Sequence, residues 1–336
     1  MINAHNIQHV LITRTDNIGD VILTLPLCGI LKSQFPQMKI YFLARDYVKD
    51  VVKHCTYVDE FVSWDMLSTL SKKDAIAFLQ QKNIDLVLHT FQTKTITSLM
   101  KAAGIRYRIG TTRRIYSWWT CNVHVNLSRK HSNQHEAQLN VQLLKALGLK
   151  TDYSLIELNQ LMGLHCDQLL PAHLDGYIKK DRFNLIVHPL TNKHTLEWPL
   201  SYFSALIREL PADRFNILVT GSEKEKQIIQ DHIMSSDAQH AVNVAGQCSL
   251  QELMQLIVSC DGLVANATGP LHLAASLGIH ALGLFPGIKG IDPTRWGPVG
   301  KKAEYLMSAA PQTESSKHME SITVTQVRDA VMKWIL

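Results

Sequence analysis

Arg14-Thr15-Asp16-Asn17-Ile18-Gly19-Asp20, directly after the apolar run Val10–Thr13, is the first place where residue types and spacing could do chemistry. Gly19 permits a tight turn, and Asp20 then opens a helix at the carboxyl end of a strand. A carboxylate there can take a proton from a hydroxyl nucleophile. Asp is equally suited to capping a helix N-terminus, so the motif alone leaves base and cap both open. Far downstream, Val264-Ala265-Asn266-Ala267-Thr268-Gly269-Pro270-Leu271-His272-Leu273-Ala274-Ala275 is a second apolar run that stops at a small polar turn and passes at once into a helix. The unpaired N–H groups and positive dipole end of such a helix suit a phosphate or diphosphate. Asp292-Pro293-Thr294-Arg295-Trp296-Gly297-Pro298 follows and adds the guanidinium of Arg295.

Two further loops follow strands. His188-Pro189-Leu190-Thr191-Asn192-Lys193-His194-Thr195-Leu196-Glu197-Trp198-Pro199 carries hydroxyls and Lys193, which suit phosphate oxygens. An ordinary polar loop has the same composition. In Thr220-Gly221-Ser222-Glu223-Lys224-Glu225 a carboxylate can reach ribose hydroxyls, and capping by Ser222 explains much of the same pattern.

Other chemistries lack their residues. There is no G-x-G-x-x-G, which weighs against a dehydrogenase, and neither G-x-x-x-x-G-K-[ST] nor G-x-S-x-G. His5/His9 and His131/His135 have helical spacing but no third ligand, so no metal site is expected. Six scattered cysteines without a C-x-x-C read as reduced thiols of a cytosolic protein. Met1–Gln8 is polar, unlike a signal peptide. The run Leu263–Ile288 has no Asp, Glu, Lys or Arg, but its prolines and glycines divide it into strand, helix and strand rather than a membrane span.

The net charge of +5 is unevenly placed. Leu86 to His135 contains no acid and eight basic residues (Lys94, Lys101, Arg106, Arg108, Arg113, Arg114, Arg129, Lys130), with Tyr107, Tyr116, Trp118 and Trp119 among them. A solvated basic face is the usual meaning of such a cluster. This one also suits a polyanionic partner, and adjacent tryptophans suit a lipid or sugar surface. RNA could stack on the same aromatics, but no nucleic-acid module is present, and an anionic glycolipid is the preferred reading.

The elements that must position these loops alternate. Short β-branched runs and helix-length amphipathic segments follow one another from end to end, the pattern of parallel α/β layers. Strands are predicted at His9–Thr13, Lys39–Leu43, Glu60–Ser63, Asp85–His89 and Arg106–Ile109, with helices at Asp20–Gln34, Lys72–Lys82, Thr93–Ala103 and Gln134–Leu147, the last ending at Gly148. After a linker over Thr151–Asp181, strands are predicted at Asn184–His188, Phe215–Thr220, Ala241–Ala245, Gly262–Ala265 and Ala281–Phe285, with helices between them and a last helix over Thr325–Ile335. Two Rossmann-like halves with parallel sheets facing a central cleft are expected, ligands lying at the carboxyl edges. The boundaries are 1–165 for the first Rossmann-like half, 166–322 for the second and 323–336 for a C-terminal helix that can pack back on the first half.

The order of motifs is more telling than any one. A strand followed by R-x-D-N-I-G-D, then H-P…E-W-P, G-S-x-x-E, N-x-T-G-P-x-H-L-A-A and D-P-x-R-W-G-P resembles glycosyltransferase family 9, the ADP-heptose:lipopolysaccharide heptosyltransferases, over about Val10 to Val331. The resemblance implies a GT-B fold. It also implies inverting, metal-independent transfer of a heptose or related sugar from a nucleotide-sugar, ADP-heptose by family, to a lipopolysaccharide core acceptor of lipid A/Kdo type. The enzyme would be cytoplasmic and peripheral at the inner face of the bacterial inner membrane, with no cofactor beyond the nucleotide-sugar co-substrate and no nucleic acid as partner. By that resemblance Asp20 is the general base. Thr268, Gly269, Pro270, His272 and Asn266 would meet the diphosphate with Thr191, Lys193 and Arg295. Gly221, Ser222 and Glu225 would meet the ribose, and Cys248 and Ser249 the adenine. The acceptor would meet Arg14, Asn17 and Gly19, and Lys94, Arg106, Arg108, Arg113 and Arg114 of the basic window.

Two positions depart from the family pattern. Ala267 stands where D-T-G-P has its carboxylate, and Leu196 where a Lys or Arg commonly precedes the W-P pair. Both bear on the donor sugar. They also motivate the alternatives of a catalytically decayed nucleotide-sugar or glycolipid binding protein and a nucleotide-sugar epimerase.

Overall fold

The structure is a computed structural model that describes residues 2–130, 132–191, 195–234, 240–310 and 318–335. The chain divides into two compact units, Met1–His165 and Cys166–Leu336.

The first unit is built on six parallel strands: β1 His9–Thr13, β2 Lys39–Ala44, β3 Glu60–Ser63, β4 Leu86–His89, β5 Tyr107–Thr111 and β6 Val123–Val125, in the order β3-β2-β1-β4-β5-β6. Its central strands are apolar without alternation because helices cover both faces, so Val10 to Thr13 and Leu86 to His89 are all buried. The order reverses between β1 and β4, which pair Thr13 with His89 at their carboxyl ends. Ligands of open α/β sheets bind at such a reversal, where neighbouring connections leave to opposite faces.

The second unit repeats the plan with β7 Phe183–His188, β8 Phe215–Val219, β9 Ala241–Asn243, β10 Gly262–Asn266, β11 His280–Phe285 and β12 Ala303–Met307, in the order β12-β11-β10-β7-β8-β9. The reversal falls between β7 and β10, where His188 pairs with Ala265. Every strand pair is parallel, so the loops after β7, β8, β9, β10 and β11 leave one edge of the sheet. Trp198, Phe203, Phe215, Leu206 and Val264 centre its core. No helix among the described residues is long and apolar enough to cross a membrane. The run Leu263–Ile288 is strand, nine-residue helix and strand, as its composition implied.

Four details differ from the sequence reading. The helix expected over Asp20–Gln34 is two helices, Ile18–Ile22 and Leu25–Gln34, parted where Pro26 has no N–H for the ladder. The helix expected over Gln134–Leu147 is α-helical over Glu136–Val141 and then tightens to a 3₁₀ turn. It ends at Gly148 as expected, with φ of 71°, a conformation that costs glycine little. The short edge strands β6 and β12 were not anticipated. The last helix, expected over Thr325–Ile335, is α-helical over Val324–Met332 and finishes in a 3₁₀ turn over Lys333–Ile335. Val327 and Val331 are buried in the core around Trp198, and the Trp198 indole N–H donates to the Ile322 carbonyl at 2.7 Å.

Candidate active site

At the end of β1 the chain turns through Arg14–Asn17 and enters the helix Ile18–Ile22 with Asn17, not Asp20, as its N-cap. Asp20 lies within the first turn, 8% exposed, so the capping alternative does not describe it. Its carboxylate accepts from the Arg14 guanidinium through one oxygen and from Asn17 Nδ2 at 3.3 Å through the other. Gly19 is buried beside it.

Arg14, expected at the acceptor, is itself 2% exposed and spent on the interior. Its Nε donates to Asp16 at 2.7 Å, and Nη1 to Glu136 at 3.0 Å and to Asn140 Oδ1 at 3.3 Å. Arg129 approaches the same two residues, donating to Glu136 at 3.0 Å and to Asn140 at 2.9 Å. The helix Glu136–Val141 thus supplies the back wall of the site, and Asn140 Nδ2 fastens it to the Leu23 carbonyl at 3.1 Å. Sequence reasoning missed this wall. A signal existed: Glu136 and Asn140 share one face, four residues apart, in a helix whose other residues include Ala137, Leu139 and Val141.

Three carboxylates, Asp16, Asp20 and Glu136, converge on Arg14, and Glu136 also meets Arg129. Burial opposes the charge on Arg14, but Asp20, Asp16 and Glu136 outweigh it and hold the guanidinium protonated above its ordinary range. The negative excess falls on Asp16. Burial raises its pKa to about 6, Arg14 opposes, and Asp20 adds to the rise. The Tyr47 hydroxyl donates to the Asp16 carbonyl at 2.5 Å, and burial, then Asp16 and Asp20, push it up to about 12. Across the reversal, Thr13 Oγ1 lies 3.0 Å from His89 Nδ1. Burial, followed by Arg108, lowers the His89 pKa to about 3, so the ring is neutral.

The basic window separates into two kinds of residue. Lys94, Arg106, Arg113 and Arg114 are exposed. Arg108, expected at the acceptor, is partly buried. It donates to the Thr120 carbonyl at 2.8 Å and to the Ile105 carbonyl, pinning β5 to the turn that follows it.

In the second unit, the helix Gly269–Leu277 begins one turn beyond β10. Thr268 is its N-cap but makes no capping bond with its side chain, and Thr268 Oγ1 is buried with no hydrogen-bond partner among the described residues. Gly269 and Leu271 fall in the first turn, where N–H groups have no intrahelical acceptor, and Pro270 has no N–H to leave unpaired. His272, one turn in, is 5% exposed. Asn266 is committed elsewhere, contrary to its expected place at the diphosphate. Its Oδ1 accepts from the Trp198 N–H at 2.9 Å and its Nδ2 donates to the Pro189 carbonyl at 2.6 Å, bracketing the β7 loop against β10.

That bracket explains the E-W-P motif. Trp198 is wholly buried, and Glu197 Oε1 accepts from the Thr191 N–H at 2.7 Å and its hydroxyl at 2.8 Å, closing the loop's neck. Leu196 packs against the core. Lys193 lies outside the described residues. After β8, Glu225 Oε2 accepts from Ser222 N at 2.6 Å and Ser222 Oγ at 2.8 Å, the reciprocal capping box, with Gly221 packed closely against it. Partly buried His188 meets Thr220 Oγ1 at 2.9 Å, and burial, partly offset by Glu225, lowers its pKa to about 4. Ser249 caps the helix Leu250–Val258, and burial, then Glu252, pushes the neighbouring Cys248 thiol up to about 11, so it is no nucleophile at neutral pH. After β11, Asp292 caps the turn Pro293–Trp296, which carries Arg295 over the Trp296 ring at 5.2 Å. Among the described residues no group of His, Cys, Asp and Glu could hold a metal ion.

Asp20 stands at the reversal of the first unit's sheet, and the uncapped helix end at Gly269 stands at the reversal of the second unit's sheet. Residues 76–324 match the model of glycosyltransferase family 9 (heptosyltransferase). The chain belongs to that family. Lipopolysaccharide heptosyltransferase 3 of Escherichia coli K12 is similar over 290 residues at 21% identity, covering 83% of this chain and 82% of that protein. Among solved structures, a family 9 glycosyltransferase of Veillonella parvula superposes with a TM-score of 0.81 at 17% identity, covering 98% of this chain and 97% of that one. E. coli ADP-heptose LPS heptosyltransferase II follows with 0.78 at 17% identity over 97% and 98%. The fold of this family 9 glycosyltransferase is accordingly the GT-B fold, two parallel α/β sheets, each with its own reversal.

Proposed function

We propose that this enzyme transfers a heptose, or a closely related sugar, from a nucleotide-sugar of the ADP-heptose kind to a lipopolysaccharide core acceptor, with inversion and without a metal ion. The observation that carries the reading is the pair of sites at the two sheet reversals: Asp20 behind β1, and the uncapped helix end at Gly269 behind β10.

Asp20 takes the proton of an acceptor hydroxyl as its oxygen bonds to the anomeric carbon. The bond from that carbon to the diphosphate breaks, and its electron pair leaves with the nucleoside diphosphate. The main-chain N–H groups of Gly269 and Leu271, the Thr268 hydroxyl, His272, Lys193 and Arg295 take up the charge that develops, a task that divalent cations perform in other transferases, while Thr191 holds its loop through Glu197. Gly221, Ser222 and Glu225 hold the ribose, and Cys248 and Ser249 border the adenine. The capping box uses Glu225 Oε2, so Oε1 is the oxygen assigned to the sugar. Asn17 and Gly19 border the base on the acceptor side, and Lys94, Arg106, Arg113 and Arg114 face the acceptor's anionic groups, lipid A/Kdo-type at the cytoplasmic face of the inner membrane.

The test is release of ADP from ADP-heptose by the purified chain with a Kdo-bearing lipid A acceptor, together with the anomeric configuration of the product. Acceptor-dependent release with inversion supports the reading. The motif departure at Ala267 favours one rival, a binding protein, which predicts donor binding with no release. An epimerase predicts a changed donor with no acceptor present.

A further inference from the structure

The short helix Ser117–Thr120, between β5 and β6, presents an apolar tip that the chemistry above does not use. Ile115 is 75% exposed, Trp118 58% and Trp119 66%, so three large apolar side chains within five residues face solvent. The turn beneath them is firmly held. The Tyr116 hydroxyl donates to the Gln92 carbonyl at 2.7 Å, Gln92 Nε2 to Ser117 Oγ at 2.9 Å, and Lys101 Nζ to the Trp119 carbonyl at 2.8 Å. His124 stacks on Trp118 with ring centroids 4.6 Å apart. A disordered tip could fold its tryptophans away; this one is braced in the exposed position.

Exposed cations flank the tip: Arg113 and Arg114 immediately before it, Lys101, whose Nζ reaches the Trp119 carbonyl, and Arg106 in the bend just before β5. No acid occurs between Asp85 and Glu136. Indoles prefer the headgroup level of a bilayer, where an apolar ring with one N–H is satisfied on both counts, and clustered Lys and Arg favour anionic headgroups. A protein partner would be expected to offer acids and also to cover the tip; nothing in this chain's own surface demands one. We infer that Ile115, Trp118 and Trp119 form a membrane wedge that inserts at the headgroup level of an anionic bilayer, with Arg113, Arg114, Lys101 and Arg106 gripping the lipid phosphates around it. This deepens the membrane part of the reading above, since it names the surface that brings the enzyme to a lipid-borne acceptor.

The experiment is cosedimentation of the full chain with vesicles that contain neither glycolipid nor nucleotide-sugar. The expected result is binding to vesicles of equal parts phosphatidylglycerol and phosphatidylcholine, weakening with salt, and none to phosphatidylcholine alone. Trp118→Ala/Trp119→Ala should lose affinity by about tenfold or more while donor-induced thermal stabilisation is unchanged. Should that double variant fold poorly, Ile115→Asp tests the same surface at an open position. Unchanged binding in these variants would overturn the wedge and leave charge alone as the attraction. No binding to either vesicle, or a dimer in solution that the variants dissolve, would also overturn it, the second result assigning the tip to another copy of the chain. Vesicle binding does not involve glycosyl transfer, so the wedge and the proposed reaction stand or fall separately.

Discussion

Arg14 and Asp20, six residues apart, form a buried ion pair at the mouth of the first sheet's reversal. The pair fixes one carboxylate oxygen of Asp20 and leaves the other to Asn17. A base held on one side in this way keeps its orientation but is not free to swing.

Removing Arg14 leaves Asp20, Asp16 and Glu136 in the interior with one fewer cation. Arg14→Met is therefore expected to cost about 3–5 kcal/mol, the usual penalty for orphaning buried charge. Denaturant titration of the whole chain measures it. Arg14→Lys should recover only part, because an ammonium cannot reach Asp16, Asp20 and Glu136 with one planar group.

Asp16 gives an unusual pH signature. Its pKa rises to about 6 in the folded protein against about 3.9 unfolded, so the folded state binds the proton more tightly. Its contribution to stability is present below about 4 and is lost as pH rises through about 6. Asp16→Asn should remove this downward slope between those pH values, as read by melting temperature against pH.

His89 acts in the opposite direction. Its folded pKa of about 3 lies below the unfolded value of about 6.5, so its contribution is present above about 6.5 and is lost as pH falls toward 3. Partly buried His188, at about 4, adds the same sign in the second unit. His89→Gln should flatten part of the acid limb of the stability curve.

Thr268 separates ligand from fold. Its hydroxyl is buried and unpartnered among the described residues, so Thr268→Val should leave the unliganded protein's stability unchanged or raise it. Nucleotide-sugar affinity should fall about tenfold to a hundredfold, the worth of a hydrogen bond to a charged oxygen. Calorimetric titration and a melting curve on the same sample check both halves.

The periodicity of the chain made the two parallel sheets legible, because centrally buried strands such as β1 and β10 are continuous apolar runs ending at polar turns. Strands β6 and β12 escaped notice for physical reasons: one is three residues long, and the other, at an edge, has Glu304, Tyr305 and Met307 exposed and so lacks an apolar run. The last helix was read as amphipathic, but periodicity says only that a face must be buried, not which residues lie against it. Trp198 and Ile322 decided that through one long-range hydrogen bond.

The site residues divide along the same line. Asp20 and Thr268 were singled out because each stands where a strand hands over to a helix. Arg14, Arg108 and Asn266 were expected to meet ligands by the family resemblance, and their interior partners, Glu136, the Thr120 carbonyl and Trp198, lie elsewhere in the chain, where spacing gave no sign of them. Whether a polar side chain faces a ligand or an interior partner depends on contacts that spacing does not encode.

The most direct test of the account is single-turnover kinetics of Asp20→Asn beside the parent chain, with donor affinity measured on the same preparations. A neutral amide of nearly the same shape removes the proton acceptor, so turnover should fall by about 10²–10⁴-fold with donor affinity essentially unchanged. Turnover at the parent rate, in a protein that still binds donor, would contradict Asp20 as the base.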